Sequence, residues 1–350
     1  MSSPIDRRRF LRSLLALGAG YGLLPAAACS PQPPPTATTS PAQAPVPTGA
    51  PLPAATTAAP ATAVPAPAVP APTPSAAARP GSPVLVVARG ASPEAITRAA
   101  ITTLGGIGRF VKAGDEVVVK PNICVAYHSY EYAATTNPEV VGTIVKLCME
   151  AGAKRVRVMD SPFGGTAEQA YSISGIGDAV KAAGGQMETM SGLKFGDVAI
   201  PGGKSIKKWK IYKDAVDPGI VLINVPIAKH HNLAGLTMGM KNLMGLIQER
   251  EAIHSNIDQR LPDLLTVIRP ALTVVDAVRI LTRNGPTGGS LSDVKKMNTV
   301  IASADPVAAD SYGATLFGKK GSDLGYLRNA ASMGMGKMDL TQVEVREVTA

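Results

Sequence analysis

From Val84 onward, short β-branched runs alternate with capped helical stretches, and this alternation restricts the fold more than any other feature of the chain. The runs are Val84–Ala88, Glu116–Lys120, Arg155–Met159, Gly219–Asn224, Leu272–Asp276 and Asn298–Ala302. Each is bounded by Gly, Pro or Asp, as buried parallel strands are. Between them, Ser92-Pro93-Glu94 reads as a cap with Pro in the first turn, opening a helix over Glu94–Leu104. Asn137-Pro138-Glu139 repeats the signal for Glu139–Ala151, and Asp305-Pro306 for Val307–Phe317. Ala167–Ala183 is a weaker helix, interrupted by Gly175 and Gly177. The pattern predicts a single α/β domain of three layers, with a mainly parallel sheet flanked by helices in a Rossmann-like arrangement. Residues 186–212 read as a small antiparallel excursion.

Upstream the texture changes. Of 30 prolines, 16 lie between Pro31 and Pro80, among Ala, Thr and Ser, with Arg79 the sole charge. Such a stretch has nothing with which to build a core, so 29–82 reads as a disordered linker. Roughly 270 residues, 83–350, remain for the α/β domain, enough for a well-buried core. Before the linker, Asp6-Arg7-Arg8-Arg9-Phe10-Leu11-Arg12 resembles a twin-arginine export signal, followed by a short Gly- and Ala-rich apolar stretch. Residues 1–28 are therefore expected to be a signal peptide, with the twin-arginine machinery as partner and the periplasm or the outer face of the cytoplasmic membrane as destination. Ala26-Ala27-Ala28 fits a small-residue cleavage site. Cys29 directly after it is a candidate for lipidation, which would tether the domain to a membrane.

Composition removes several function classes. Three cysteines cannot make a disulfide framework, and without a CxxC an iron–sulfur cluster on local thiolates is not expected. The net charge of +9 includes four N-terminal arginines against Asp6, plus Arg79. The rest carries 30 basic against 25 acidic side chains, an excess of +5. That excess suits an anionic small molecule better than a nucleic-acid track, so no nucleic-acid partner is expected.

The strand ends carry the chemistry. Val117–Val119 run into Lys120-Pro121-Asn122; Val156–Met159 into Asp160-Ser161; Val221–Ile223 into Asn224 and on to Lys229-His230-His231; Val274-Val275 into Asp276; Ile301-Ala302 into Ser303 and Asp305. Open α/β sheets bind ligands beyond the carboxyl ends of their strands, so these polar groups mark one candidate site. Lys120, Lys229 and Lys241 are candidate anion holders. Asn122, Asn224 and Asn242 can donate and accept at once. His231 is the candidate general acid/base, since an ordinary imidazole titrates near neutrality. Asp160 and Asp276 would orient it, or would join it in holding a divalent metal. Each Asp alone would also serve as a helix cap. Gly164-Gly165-Thr166 before a helix could offer backbone N–H groups to an anion. His128, His230, His231 and His254 show no compact metal spacing. Cys124 and Cys148 read as small buried thiols. Three methionines between Gly235 and Gly245 read as packing, whereas Lys241-Asn242 inside that apolar stretch should face solvent or a ligand.

Lys120-Pro121-Asn122, Thr136-Asn137-Pro138-Glu139, Ala151-Gly152-Ala153-Lys154, Lys229-x-His231, Lys241-Asn242-Leu243-Met244-Gly245, Asp276, Gly285-Pro286 and Asp305-Pro306 with Asp310 occur in an order that resembles the domain of unknown function 362 family. The resemblance covers about residues 84–348. It implies an α/β domain, distantly similar in fold to the catalytic half of nickel-dependent lactate racemases. Some members carry ferredoxin-like cluster segments, for which this chain lacks the cysteines. Two function classes follow: an exported enzyme or cofactor-binding protein acting on an anionic small molecule, or a tethered cell-surface binding or interaction domain without catalysis.

Overall fold

A computed structural model of the chain describes residues 83–350; the expected signal peptide, linker and Cys29 lie outside the described residues. The first half runs β1 (Val84–Arg89), α1 (Pro93–Thr103), β2 (Glu116–Pro121), α2 (Pro138–Glu150), β3 (Arg155–Val158), α3 (Ala167–Ile173), α4 (Ile176–Ala182) and β4 (Gln186–Met187). Next come β5 (Phe195–Ala199), β6 (Lys208–Tyr212), β7 (Ile220–Val225), β8 (Ile227–His231), β9 (Gly235–Thr237), α5 (Gly239–Asn242), α6 (Arg250–Ile253) and α7 (Ile257–Leu265). The chain ends with β10 (Leu272–Leu281), β11 (Val294–Ser303), α8 (Pro306–Thr315), α9 (Gly325–Ser332) and β12 (Glu344–Thr349).

The main sheet has the order β12-β1-β11-β10-β7-β2-β3-β4, with β8 and β9 joining beside β10. Pairing is parallel from β10 through β7, β2 and β3 to β4, and again between β1 and β12. The fold is thus the mostly parallel α/β sheet that the alternation predicts. β5 and β6 form a separate antiparallel pair, which places the predicted excursion at 195–212.

The helix starts follow the caps. Ser92 accepts from the Ala95 amide and Asn137 from the Glu139 amide, and each helix has Pro in its first turn. The weak helix over 167–183 is two helices, broken where Gly175 adopts a positive φ of 74°.

Period-2 alternation divides the core into two layers. Val117, Val119, Val156 and Ile223 pack against α1, α2 and α4 through Ile96, Val140, Ile144 and Val180. Val118, Leu222, Val275 and Ile301 face the opposite layer, with Met240, Leu261, Val307 and Leu327. This split decides which strand-end side chains can meet.

One expectation fails on topology. β11 runs antiparallel to both β1 and β10, so Ser303 and Asp305 leave the sheet in the opposite direction from the other strand ends. Only a single 3-10 turn, Leu291–Asp293, and no α-helix separates β10 from β11, and a connection without a crossover helix returns antiparallel. Asp305 caps α8 through the Val307 and Ala308 amides and also accepts from Lys337 N–H.

Candidate functional site

Lys120 is the penultimate residue of β2, with its side chain on the same face as Val118, and Asn224 is the penultimate residue of β7, on the same face as Leu222. The two are paired in register. Both therefore point into the layer that contains α5. There Asn242 donates from Nδ2 to Lys120 O at 3.1 Å and to Asn224 Oδ1 at 2.8 Å. Its Oδ1 accepts from Lys120 Nζ at 3.1 Å and from Asn122 Nδ2 at 3.0 Å. Asn224 Nδ2 donates to Gly239 O at 2.9 Å. The three asparagines thus form one amide network, which locks α5 onto the ends of two strands. Asp310, from α8, holds the other end of α5 by accepting from the Gly239 and Met240 amides at 2.6 and 3.0 Å.

Lys229 reaches the same network from β8. Its ammonium donates to Asn122 Oδ1 at 3.0 Å and to Ala134 O at 2.6 Å. Lys120 donates to Pro121 O at 2.8 Å and pairs with Asp160 Oδ1 at 2.7 Å. Asp160 also accepts from the Ile123 amide at 2.6 Å and the Ser161 amide at 2.7 Å. Burial pulls Lys120 below the ordinary lysine range, and the Asp160 carboxylate opposes that pull.

These groups wall a cavity of about 270 Å³, lined also by Cys124, His231, Lys241, Arg250, Glu251 and His254. Phe163 and Leu233 stand on its wall with 66% and 64% of their surface exposed, leaving an apolar margin. Lys241 is only 9% exposed and has no hydrogen-bond or ion-pair partner among the described residues. Burial, followed by repulsion from Lys229, lowers its pKa to about 8. Arg250 donates to Ser161 O at 2.8 Å and pairs with no carboxylate among the described residues. Four cationic side chains therefore meet two carboxylates here, Asp160 and Glu251, and the lining carries a net positive charge.

His231 lines the cavity in an unexpected state. Its Nδ1 accepts from the Leu233 and Ala234 amides at 3.1 and 3.2 Å. That fixes the proton of the neutral ring on Nε2. Burial, Lys241 and the His254 ring stacked 5.7 Å away lower its pKa to about 3. The ring is then a neutral hydrogen-bond donor, where the sequence suggests a group that titrates near neutrality.

The expected metal set does not assemble. Asp276 lies between Val275 and Ala277, which both pack on the α5 side, so its carboxylate points to the opposite layer. There it accepts from the Asn137 and Val278 amides at 2.7 and 2.9 Å. It does not line the cavity. Burial raises its pKa to about 6. Asp160 is already taken by Lys120 and two amides, and His231 Nδ1 by two more. Among the described residues no group of three or more His, Cys, Asp or Glu side chains is placed to hold a metal ion.

Asn122, Lys120, Lys229, Lys241 and Asn242 line the cavity together, with Asn224 one hydrogen bond behind Asn242. The Gly164-Gly165 step serves packing: the Ala126 amide donates to Gly164 O at 2.8 Å, and Thr166 caps α3. His128 stacks on Tyr132, and His230 Nδ1 accepts from the Gly285 amide. Arg250, which no sequence motif singles out, and His254, in sequence only one of four histidines without metal spacing, also line the cavity.

Residues 117–315, more than half the chain, match the family model described as a domain of unknown function (DUF362). A thylakoid-associated protein of Synechocystis sp. is 29% identical over 228 residues, covering 61% of this chain and 66% of that protein. Among solved structures, the lactate racemase apoprotein from Thermoanaerobacterium thermosaccharolyticum aligns over 66% of this chain and 56% of its own, at 14% identity and a TM-score of 0.43. A protein from Thermotoga maritima aligns over 64% and 59%, at 9% identity and a TM-score of 0.39. The chain spans less than two thirds of the length of each of these proteins. The amide network and the cavity lining fall inside the matched residues, whereas β1 and β12 lie outside them, and the chain belongs to the DUF362 family.

Proposed function

We propose that this domain binds an anionic small molecule in the Lys229–Lys241 cavity and acts on it as an enzyme or cofactor-binding protein. One observation carries the reading: Lys241 is buried on the cavity wall with no ion-pair or hydrogen-bond partner among the described residues. A buried cation without a partner is costly, and an anion entering the cavity would relieve that cost. His231 Nε2–H and the N–H groups left over on Lys229 and Arg250 would direct it. Thermal melting of the chain with inorganic phosphate, sulfate, oxalate and short monocarboxylates tests the reading. At least one should raise the melting temperature of the wild type and not of Lys241→Met. If none does, the tethered interaction domain becomes the better reading.

The twin-arginine motif and Cys29 support export and attachment at the outer face of the cytoplasmic membrane, with 29–82 as the tether. Fractionation, with the mass of the mature N-terminus, tests this: a soluble cytoplasmic chain retaining Met1 would refute it.

A further inference from the structure

We propose that Lys241 is the nucleophile of an imine-forming reaction with an anionic carbonyl compound, a 2-oxo carboxylate being the smallest ligand that suits the cavity. The inference rests on the anion-binding reading and adds a covalent step to it. Its basis is the different standing of the three cavity lysines. Lys120 is neutralised by Asp160 at 2.7 Å, and Lys229 is held by Asn122 and Ala134 O. Both are fixed in position by these partners. Lys241 alone of the three has no partner among the described residues, is nine-tenths buried and lines the cavity. Its nitrogen can therefore meet an electrophile without first breaking a hydrogen bond to the protein.

The surroundings favour the free amine. Lys229 and His231 from β8, Cys124 after β2, and Arg250, Glu251 and His254 around α6 are the titratable or charged groups facing it. Beyond burial, Lys229 and then Arg250 oppose its protonation, while Cys124 and Glu251 favour it. Desolvation near other cations is a general way to activate a lysine amine. Against an ordinary lysine near 10.4, a pKa of about 8 gives on the order of a hundredfold more free amine at neutral pH.

The step balances. The neutral amine of Lys241 adds to the carbonyl carbon, giving a carbinolamine. Both amine protons leave with the carbonyl oxygen as water, and a C=N bond replaces C=O. The carboxylate of the ligand stays bound by Lys229 and the His231 Nε2–H donor. No oxidant or reductant is consumed.

The probe is glyoxylate, with sodium cyanoborohydride as trapping reductant and peptide mass mapping as readout on the whole chain. The adduct is expected on Lys241, rising with pH through about 8 and absent from Lys241→Arg. An exposed-lysine control, Lys296→Arg, should give the wild-type adduct. Oxalate, which has the charge but no electrophilic carbonyl, should protect Lys241 in the wild type, a result independent of any variant's folding. Adducts scattered over exposed lysines, with Lys241 unmodified while oxalate still raises the melting temperature, would overturn the imine and leave anion binding standing. Absence of both the Lys241 adduct and any oxalate shift would overturn both.

Discussion

The Lys120 ammonium lies 2.7 Å from Asp160 Oδ1, with both side chains almost fully buried, and Gly245 passes directly over the pair. A Cβ at Gly245 would meet Lys120 Cε at 2.6 Å and Nζ at 2.7 Å. The glycine that closes the Lys241–Gly245 stretch is therefore required by an ion pair between Lys120 in β2 and Asp160 just after β3. Gly245→Ala should destabilise the domain by about 1–3 kcal/mol through overpacking. Asp160→Ala should cost more, about 3–5 kcal/mol, because it leaves Lys120 buried without its carboxylate. Urea unfolding monitored by circular dichroism would check both. A cost within experimental error for Asp160→Ala would mean that the pair is solvated in solution.

Lys241 should behave in the opposite way. Its pKa in the fold, about 8, lies below that of the unfolded chain, about 10.4. Such a group lowers stability while it is charged in the fold, and the penalty is relieved as pH rises from about 8 towards 10.4. Lys241→Met should therefore stabilise the apoprotein at pH 7 by about 1–3 kcal/mol while losing the anion-induced shift in melting. A variant less stable than wild type at pH 7 would show that the ammonium has a partner.

His231 sets the behaviour in acid. Its pKa falls from 6.5 to about 3 on folding, so its contribution is fully present above 6.5 and is lost as pH falls towards 3. Each pKa unit is worth about 1.4 kcal/mol, and cavity water screens much of it, which leaves about 1–2 kcal/mol. His231→Asn keeps an acceptor for the Leu233 and Ala234 amides and should flatten the stability profile between pH 6.5 and 4. In NMR spectra the wild-type ring should remain the neutral Nε2–H tautomer throughout that range. A midpoint near 6.5 would restore His231 as a general acid/base.

Much of this architecture is legible in the sequence for identifiable reasons. The Pro-containing caps at 93, 138 and 306 fix three helix starts, and β-branched runs between turn formers fix six strands. Lys241-Asn242 stands out because two polar residues interrupt an apolar segment, and both line the cavity. The β8–β9 hairpin is less legible: the sequence predicts no strand at Lys229-His230-His231, yet this segment pairs with Gly235–Thr237 and β8 pairs with β10. The direction of β11 follows from an absent helix, and the state of His231 from two amides that close back on its ring. Neither relation leaves a mark on residue type at those positions.

Asp276 shows most clearly how a carboxylate that the sequence places at a strand end can belong to the scaffold. In sequence it follows Val274-Val275 like a catalytic acid at a strand end, but β10 continues to Leu281 and its face of the strand directs it to the start of α2. It binds the Asn137 amide in one direction and the Val278 amide in the other, so it ties the helix start to the strand. Asp276→Ala should cost about 1–3 kcal/mol for the amides left unpaired in the core. Asp276→Asn keeps an acceptor oxygen and should cost less. It should also remove the loss of stability expected in the wild type as pH rises from about 4 to 6, since the folded pKa of about 6 lies above the ordinary 3.8. The anion-induced melting shift should be unchanged in Asp276→Asn. If that variant melts normally but no longer responds to the anion, Asp276 acts on the cavity and its carboxylate belongs with Lys229 and Lys241 after all.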